Sequence, residues 1–553
     1  MAGAPEHLLM SDPDPNPASL YEKVLAAAGE AARPAPKPPR PSAAIVLWRS
    51  AAGGLQVYWV QRAPELAFMG GWHAFPGGAL SRTDLALPVT GEPRGFEGPD
   101  AGGGFPDSLL DGAGDLQPDL VPGLAACALR ELFEETGVLL ATELLPGSTS
   151  GPAATAGALG DARRRLLEDE APFHELIDEL GLTPCAEPLV FAGRWLTPPF
   201  APRRFDNRFF LVEWPAAAAL QPAVVPGELV AGEWIAPAAG VDRWRRGEVI
   251  AAPPVLHLLR VLAEDGPQDG LGRLRRPLEA DLGPYRRIEF RPGVLMFPLA
   301  TRTLPPADRT NAYLLGTRER VLIDPGSTIE SEIDRLHRAL AALAAEGGRV
   351  SAIWLTHHHP DHAGGVEALR RLLGVPVLAH AAAARTLAAR GIAVDGELTD
   401  GQRVVLDGPQ PFPVRVVHTP GHARGHLCFH EEAGGSLIAG DMVAGIGTIV
   451  IDPPEGDMDD YLASLERLLL LAPSTLFPAH GPPILDAAGK LREYLDHRRW
   501  REERVLEAWN AGLREPEAML PTVYDDAPRE AWPLAARQIE AHLRRLRRAG
   551  RIE

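Results

Sequence analysis

A chain of 553 residues that is 45% hydrophobic is longer than one core serves, so about three or four domains are expected. Its formal net charge of −18 argues against indiscriminate nucleic-acid binding by the whole surface and leaves room only for a local basic face. Three scattered cysteines, Cys127, Cys185 and Cys428, exclude a disulfide framework and a CxxC zinc site and fit a reducing interior. The first residues have no basic stretch followed by an apolar one, and nowhere do about 18 apolar residues run together, so a cytoplasmic location without a membrane span is expected.

Residues 1–40 end in Arg33-Pro34-Ala35-Pro36-Lys37-Pro38-Pro39-Arg40, expected as an extended leader because proline cannot pair within a sheet. From Ser42 onward, Ala43 to Trp48 and Leu55 to Arg62 are strand-like runs about a glycine turn, a hairpin. Phe75-Pro76-Gly77-Gly78 follows, and after a Gly- and Pro-rich stretch from Pro88 to Pro122 comes Arg130-Glu131-Leu132-Phe133-Glu134-Glu135-Thr136-Gly137-Val138. Glu131, Glu134 and Glu135 share one face of a helix. Like charges so placed repel by a few tenths of a kcal/mol per pair, and a Mg²⁺ or Mn²⁺ ion reverses the sign. A bare acidic solvated face is the alternative. Gly160 to Leu182 has the spacing of one helix or a pair. Phe209 to Glu213 and Glu228 to Trp234 read as strands, the latter with Glu233 exposed. Arg203 and Arg204 fit either a substrate phosphate or a surface turn. Residues 262–284, rich in Gly, Pro and charge, read as a linker.

Beyond the linker, the apolar run Val350 to Leu355 leads into Thr356-His357-His358-His359-Pro360-Asp361-His362. Residues two apart share a face of an extended chain, so His357 and His359 can grip one ion while Pro360 turns the chain and aims Asp361 and His362 at a second. Any one of the 17 histidines taken alone belongs more often to a core or surface, but four ligand-type residues within six positions reverse that weighting. The further donors such a site needs are His422, Asp441 and His480, each after an apolar run: Val414 to Val417, Ser436 to Ala439, and Leu476 to Phe477. Asp324 and His426 are candidates for orienting the ligating rings, while His358 and His418 read as structural. Asp457 to Leu471 has leucines at helical spacing. Leu491 to Trp509 is one amphipathic helix, a second helical stretch follows Pro521 to Tyr524, and Leu534 to Ala549 is a third, before a short terminal strand at Gly550-Arg551-Ile552. Arg544, Arg545, Arg547, Arg548 and Arg551 form a basic cluster with no acid between them, fit either to grip phosphates or to pack on their own domain.

The pattern H-x-H-x-D-H, then P-G-H, G-D and a late A-H-G, with Asn311-Ala312-Tyr313-Leu314-Leu315 and Leu322-Ile323-Asp324-Pro325-Gly326 upstream, resembles the metallo-β-lactamase superfamily. The resemblance implies an αββα sandwich over 285–490, with one metal on His357, His359 and His422, a second on Asp361, His362 and His480, and Asp441 bridging. It implies two Zn²⁺, or Mn²⁺ or Fe²⁺, with Asp361 in a catalytic part. Drug-hydrolysing members typically lack a histidine at the place of His362, so the expected substrate is a phosphodiester (RNA) or a thioester. The tail, 491–553, resembles the winged-helix tail of the β-lactamase-like-protein-2 subgroup, whose members include an endoribonuclease acting on single-stranded RNA.

The string Arg130 to Val138 resembles the second half of the Nudix box, and Gly78 with Asp84 resembles the first half, Asp standing for Glu. About 45 residues separate halves that usually lie about seven apart, so an insertion is expected at about 85–124. Phe75 to Gly78, Trp195-Leu196-Thr197-Pro198 and Arg203-Arg204-Phe205-Asp206 are similar to the Nudix subgroup that includes coenzyme A diphosphatases. The resemblance implies an α/β/α sandwich over 41–261 in which Glu131, Glu134 and Glu135 hold Mg²⁺ or Mn²⁺, Arg130 positions Glu131, Gly137 ends the helix, and a nucleoside or coenzyme A diphosphate is hydrolysed. The whole reads as a multidomain α/β, bifunctional metal-dependent hydrolase acting on a small-molecule diphosphate, a thioester or single-stranded RNA, with no membrane partner. The alternative is that only the central domain is catalytic, the Nudix-like part sensing a ligand and the tail binding nucleic acid.

Overall fold

The computed structural model describes residues 39–66, 69–96, 120–145, 155–197, 203–215, 218, 220–276 and 288–553. Residues 1–38 of the expected leader, the inner part of the expected insertion at 97–119, Pro198 and residues 277–284 of the expected linker lie outside the described residues, and Arg40, the last residue of the expected leader, already belongs to a strand. The chain divides into two compact units, one covering 36–297 and 335–347, the other 298–334 and 348–553.

In the first unit the expected hairpin forms: β1 (Arg40–Ala51) and β2 (Gly54–Arg62) pair antiparallel. With β3 (His73–Ala74), β4 (Gly77–Ala79), β5 (Val190–Leu196), β6 (Phe205–Glu213) and β7 (Leu229–Ile235), they build a sheet of order β3-β2-β1-β6-β5, in which β4 pairs with β1 and β7 with β2. Side chains alternate across it. Ile45, Leu47 and Phe210 pack against Leu124, Leu129 and Leu132 of α1 (Leu120–Thr136), while Val46, Trp59 and Phe209 pack against Val255, Leu258 and Leu259 of α2 (Pro253–Glu264). Helices therefore cover both faces, an α/β/α sandwich. Ala156–Leu167 and Phe173–Glu179 are the helix pair expected there.

The linker reading of 262–276 is corrected. Gly266–Asp269 and Leu271–Arg275 are helical and Leu274 is buried. Pro267 sits in a first helical turn, where a missing N–H costs nothing.

The antiparallel hairpin β8 (Ile288–Arg291) and β9 (Val294–Ala300) comes next, and the division between the units at 297/298 falls inside β9. Within the second unit β10 (Arg309–Gly316), β11 (Glu319–Ile323), β12 (Arg349–Trp354), β13 (Val377–Ala379) and β14 (Gly396–Glu397) follow one another in the order β14-β13-β12-β11-β10. A second sheet runs β15-β16-β17-β18-β19, made of Arg403–Leu406, Phe412–His418, Leu427–Glu431, Ser436–Gly440 and Thr475–Pro478. The rings of Trp354 and Phe429, one from each sheet, meet at 5.2 Å between the layers. The ends of β12, β16, β18 and β19 lead into the loops that carry the predicted ligands.

Helix α3 (Met458–Leu471) turns Leu462, Leu465 and Leu468 into the core. The tail contains α4 (Ala487–Asn510), α5 (Pro516–Val523) and α6 (Trp532–Arg548). Three expectations change here. The boundary at 490/491 lies inside α4; Pro521 lies within the second helix; and among the described residues no strand follows Gly550. Gly550 instead takes φ +66°, and Ile552 folds back onto Val505, Ile539 and Leu546. Among the described residues no helix is long and apolar enough to cross a membrane.

Candidate metal centre

The chain leaves β12 extended through His359 (φ −62°, ψ 150°), and Pro360 opens the short helix Pro360–Ala363, its fixed φ suiting that first position. This turn presents Asp361 and His362 beside His480, while the ring of His362 stays 4.0 Å from that of His357. The Asp324-Pro325-Gly326 loop lies directly under this turn, where a Cβ on Gly326 would overlap the Asp361 carbonyl oxygen.

All seven predicted ligands converge. His357, His359 and His422 form one group whose ligand atoms lie within 4.8 Å of one another, Asp361, His362 and His480 a second, and His357, His362 and Asp441 a third. Nδ1 of His359 stands 2.8 Å from Nε2 of His357 and 3.0 Å from Nε2 of His422. Asp441 reaches both sides: its Oδ2 is 3.4 Å from Nε2 of His422, and its Oδ1 is 3.5 Å from Nε2 of both His362 and His480. These separations are too long for hydrogen bonds, yet they match the ~3.4 Å edge of a tetrahedron with metal–ligand bonds of about 2.1 Å. Nε2 of His362 and Oδ1 of Asp441 are buried without a hydrogen-bond partner, which in a folded protein calls for an ion or a water. The donor set, imidazole with carboxylate, suits divalent cations.

Ring orientation follows from the outer nitrogens. Nδ1 of His422 donates to the Val450 carbonyl at 2.8 Å, Nδ1 of His480 to the Arg309 carbonyl at 2.9 Å, and Nδ1 of His362 to Oδ2 of Asp324 at 2.9 Å. Each such bond places the remaining lone pair on Nε2, facing the centre. Asp324 also accepts from the Thr356 backbone N–H at 2.8 Å and from its hydroxyl at 2.6 Å, and that hydroxyl faces Nδ1 of His357 at 3.0 Å. Nε2 of His426 accepts the Asp441 backbone N–H at 3.0 Å. Both candidates for orienting the ligands, Asp324 and His426, therefore touch ligand residues. Asn311 donates to the Pro478 and Gly481 carbonyls at 2.9 and 2.8 Å, on either side of His480. His358 is buried, its carbonyl held by Arg390 at 2.9 Å, and His418 stacks on His380 at 4.2 Å. The carbonyls of Val450 and Arg309 escaped sequence reasoning because a backbone oxygen carries no residue signature.

Burial, reinforced by the neighbouring rings, pushes His357 and His359 far below the ordinary imidazole range, leaving them in the neutral form that ligates. At His362 burial opposes charge, but Asp361, Asp441 and Asp324 outweigh it and raise the ring well above that range. Burial opposes ionisation of Asp441 too, and His480 and His362 nevertheless hold it well below the usual carboxylate range. Three buried carboxylates in one pocket demand positive charge, which a cation supplies.

In the first unit Arg130 is the hub. Its Nε and Nη2 donate to the two oxygens of buried Asp84 at 2.8 and 3.1 Å, Nη2 also to Glu131 and Nη1 to Glu134, each at 2.8 Å. The Asp in the Glu position thus reaches the arginine across the insertion. Oε2 of Glu135 accepts the Gly77 N–H at 3.0 Å, and Glu131 lies against Gly78, where a Cβ would overlap its carboxylate. Burial raises Glu131 to about 7, Arg130 opposing and Glu134 assisting. Gly137, at φ +75°, ends the helix with its N–H on the Phe133 carbonyl at 2.7 Å. The three glutamates thus face the Gly77-Gly78 loop as expected. Among the described residues, however, they do not form a closed group of ligand atoms, because the guanidinium stands between Glu131 and Glu134. Arg204 is buried and donates to the Thr197 carbonyl at 3.2 Å, whereas Arg203 is exposed, so the two arginines do not act as a pair.

The tail arginines have acidic or carbonyl partners. Arg545 and Arg548 pair with Asp459 at 2.8 and 3.0 Å, Arg548 with Asp457 at 2.8 Å, Arg551 with Glu503 at 3.1 Å, Arg544 with Glu540, and Arg547 donates to the Glu553 carbonyl at 3.2 Å.

Seven His and Asp side chains at the rim of a two-layered αββα fold define a metal-dependent hydrolase. Three family profiles match the chain: the metallo-beta-lactamase superfamily over 305–480, the NUDT19 Nudix domain over 111–262, and the beta-lactamase associated winged helix domain over 516–553. The chain is 32% identical over 260 residues to the beta-lactamase-like protein 2 homolog of Drosophila melanogaster, covering 44% of this chain and 84% of that protein. It is 35% identical over 208 residues to an atrochrysone carboxyl ACP thioesterase of Aspergillus fumigatus, covering 37% of this chain and 61% of that protein's length. A crystal structure of a metallo-beta-lactamase family protein from Thermus thermophilus is 27% identical, covers 47% of this chain and 95% of the other, and superposes with a TM-score of 0.39. The chain belongs to the metallo-β-lactamase superfamily, with a Nudix domain before the metallo-β-lactamase domain and a winged-helix domain after it.

Proposed function

We propose that the central domain hydrolyses a thioester with two zinc ions, and that the Nudix domain hydrolyses a nucleoside or coenzyme A diphosphate with Mg²⁺ or Mn²⁺. The observation that carries the first half is the Asp441 carboxylate, whose two oxygens face the two imidazole groups separately. When bound, paired divalent ions supply an activated water and polarise the scissile oxygen. The chain's own part is to present neutral imidazoles at His357 and His359, bury the carboxylates that balance the charge, and fix rings through their outer nitrogens. Zinc suits four-coordinate nitrogen and oxygen ligation.

A thioester is favoured over RNA because the tail arginines are balanced by Asp457, Asp459, Glu503 and Glu540, so the tail offers little net field to phosphates. The name of the fungal thioesterase relative supports the same choice. An acyl-coenzyme A contains both a thioester and a diphosphate, so one molecule would suit both sites. Three free, buried cysteines support a cytoplasmic location.

Acyl-coenzyme A given to the purified protein tests this, with thiol release and diphosphate cleavage followed separately. His359→Ala should abolish the first and spare the second, and Glu134→Gln the reverse. If neither variant changes either reaction, the proposal fails, and cleavage of single-stranded RNA by the zinc-loaded protein would put RNA in place of the thioester. A second reading, that the Nudix domain only senses a ligand, is favoured by the guanidinium between Glu131 and Glu134. Calorimetric nucleotide binding without turnover would establish it.

A further inference from the structure

His422 presents Nε2 to the centre because its Nδ1 is tied to the Val450 carbonyl. Val450 belongs to the stretch from β18 to α3, residues 441–457, which contains neither helix nor strand. No ladder of backbone bonds therefore fixes the direction of that carbonyl; the ends of the stretch are held by His480, Gly421, Arg424 and Tyr461, but the groups that grip it nearest to Val450 come from the tail. One residue before Val450, the Ile449 carbonyl accepts from Arg498 of α4 and from Nε2 of Gln538 of α6, the latter at 3.0 Å. Two residues after it, Oδ1 of Asp452 accepts from Nε of Arg537 at 2.6 Å, and the Pro453 carbonyl accepts from the same guanidinium. Arg498 and Gln538 are buried, 2% and 4% exposed, so their bonds face no competition from water. The side chains of Ile449 and Ile451 pack in the core beside Tyr494 and Ala541. That packing locates the stretch, and the polar bonds set how its peptides are rotated.

We infer that Gln538 and Arg537, together with Arg498, are positioning residues for the metal centre: by holding the peptides on either side of Val450 they aim His422 at its ion. The tail is then part of the hydrolytic site. The inference rests on reading His422 as a ligand. Loss of an outer partner of a ligating histidine weakens metal binding about 10- to 100-fold, and a partner acting through one further bond should fall near the lower end, about tenfold.

Cobalt(II) added to the metal-stripped full chain tests this, through its dissociation constant and its visible absorption band, which reports ligand geometry. Gln538→Leu, which keeps the volume, and Arg537→Gln should each weaken cobalt binding about tenfold and shift the band, with Arg537→Lys restoring part of both. Arg551→Gln, in the same tail but paired with Glu503 away from the 441–457 stretch, should lower thermal stability and leave both readings unchanged. The inference is overturned if Gln538→Leu and Arg537→Gln bind cobalt as the parent does, or if Arg551→Gln weakens it by the same factor. If His422→Ala itself leaves cobalt binding intact, the metal reading falls, and this inference with it.

Discussion

Oδ2 of Asp324 accepts from Nδ1 of His362 at 2.9 Å, from a backbone held at φ +50°, a conformation most side chains avoid. A strained aspartate that also takes both Thr356 donors is fixed by its bonds and not by backbone preference. Asp324→Ala should weaken metal binding about 10- to 100-fold, as measured by chelator competition. Asp324→Gly relieves the strain but removes the acceptor, so its metal affinity should fall equally while its thermal stability falls less. Equal affinity in parent and both variants would refute this role.

Gly326 tolerates no side chain, since the atom a Cβ would meet is the backbone oxygen of Asp361. Gly326→Ala must displace the turn that carries Asp361 and His362. The expected cost is about 4 kcal/mol or more, read by denaturant unfolding, with loss of about one bound metal per chain by elemental analysis. A variant of parental stability and metal content would show that the loop shifts freely.

Arg130 bridges three carboxylates, of which Asp84 is 2% exposed. Removing the cation strands a buried charge, a change that costs about 3–5 kcal/mol. Arg130→Met should therefore destabilise the Nudix domain strongly, and adding Asp84→Asn should recover much of the loss. A double-mutant cycle with zero coupling would contradict the assignment of Asp84 as the partner of the box arginine.

His542 is fully buried, facing Glu502, Arg498 and Arg545 between α4 and α6. Burial lowers its pKa, Glu502 opposing. As pH falls through the unfolded imidazole value of about 6.5, the unfolded chain takes up a proton that the folded tail refuses, so stability falls with acidification. Glu502 acts in the same direction: burial notwithstanding, His542 and Arg545 hold it below the usual carboxylate range, and the stability this gives is lost only as pH falls further, through that lowered value. Protection against hydrogen exchange in 532–548, taken relative to the free-peptide rate at each pH, should therefore fall between pH 7 and 5, about the unfolded imidazole pKa, and His542→Leu should flatten the upper part of that dependence. A flat parental profile would refute it.

The ligands were legible because they follow strands: a short apolar run ending in His or Asp is a local signal. Strands β1, β2, β6, β7, β12, β16, β18 and β19 were legible for the same reason, as short apolar runs. Val450 was not, since what matters there is an oxygen every residue owns, aimed by Gln538 from 88 positions further on. Arg545 and Arg548 of α6 and Arg551 beyond it looked uncompensated because Asp457, Asp459 and Glu503 lie far away in sequence and near only after folding. Gly266 and Pro267 suggested a linker, but Leu274, a single buried leucine beyond them, pulls that stretch onto the sheet.

The last ligand is His480, yet the hydroxyl of Tyr494 takes the Ala444 N–H at 3.0 Å, and Arg498, Arg537 and Gln538 take the next carbonyls along the same stretch. A polypeptide cut just after residue 480 would keep every liganding side chain and lose every one of these anchors. If those anchors aim His422, the minimal hydrolase extends to where α6 closes, some sixty residues beyond the chemistry.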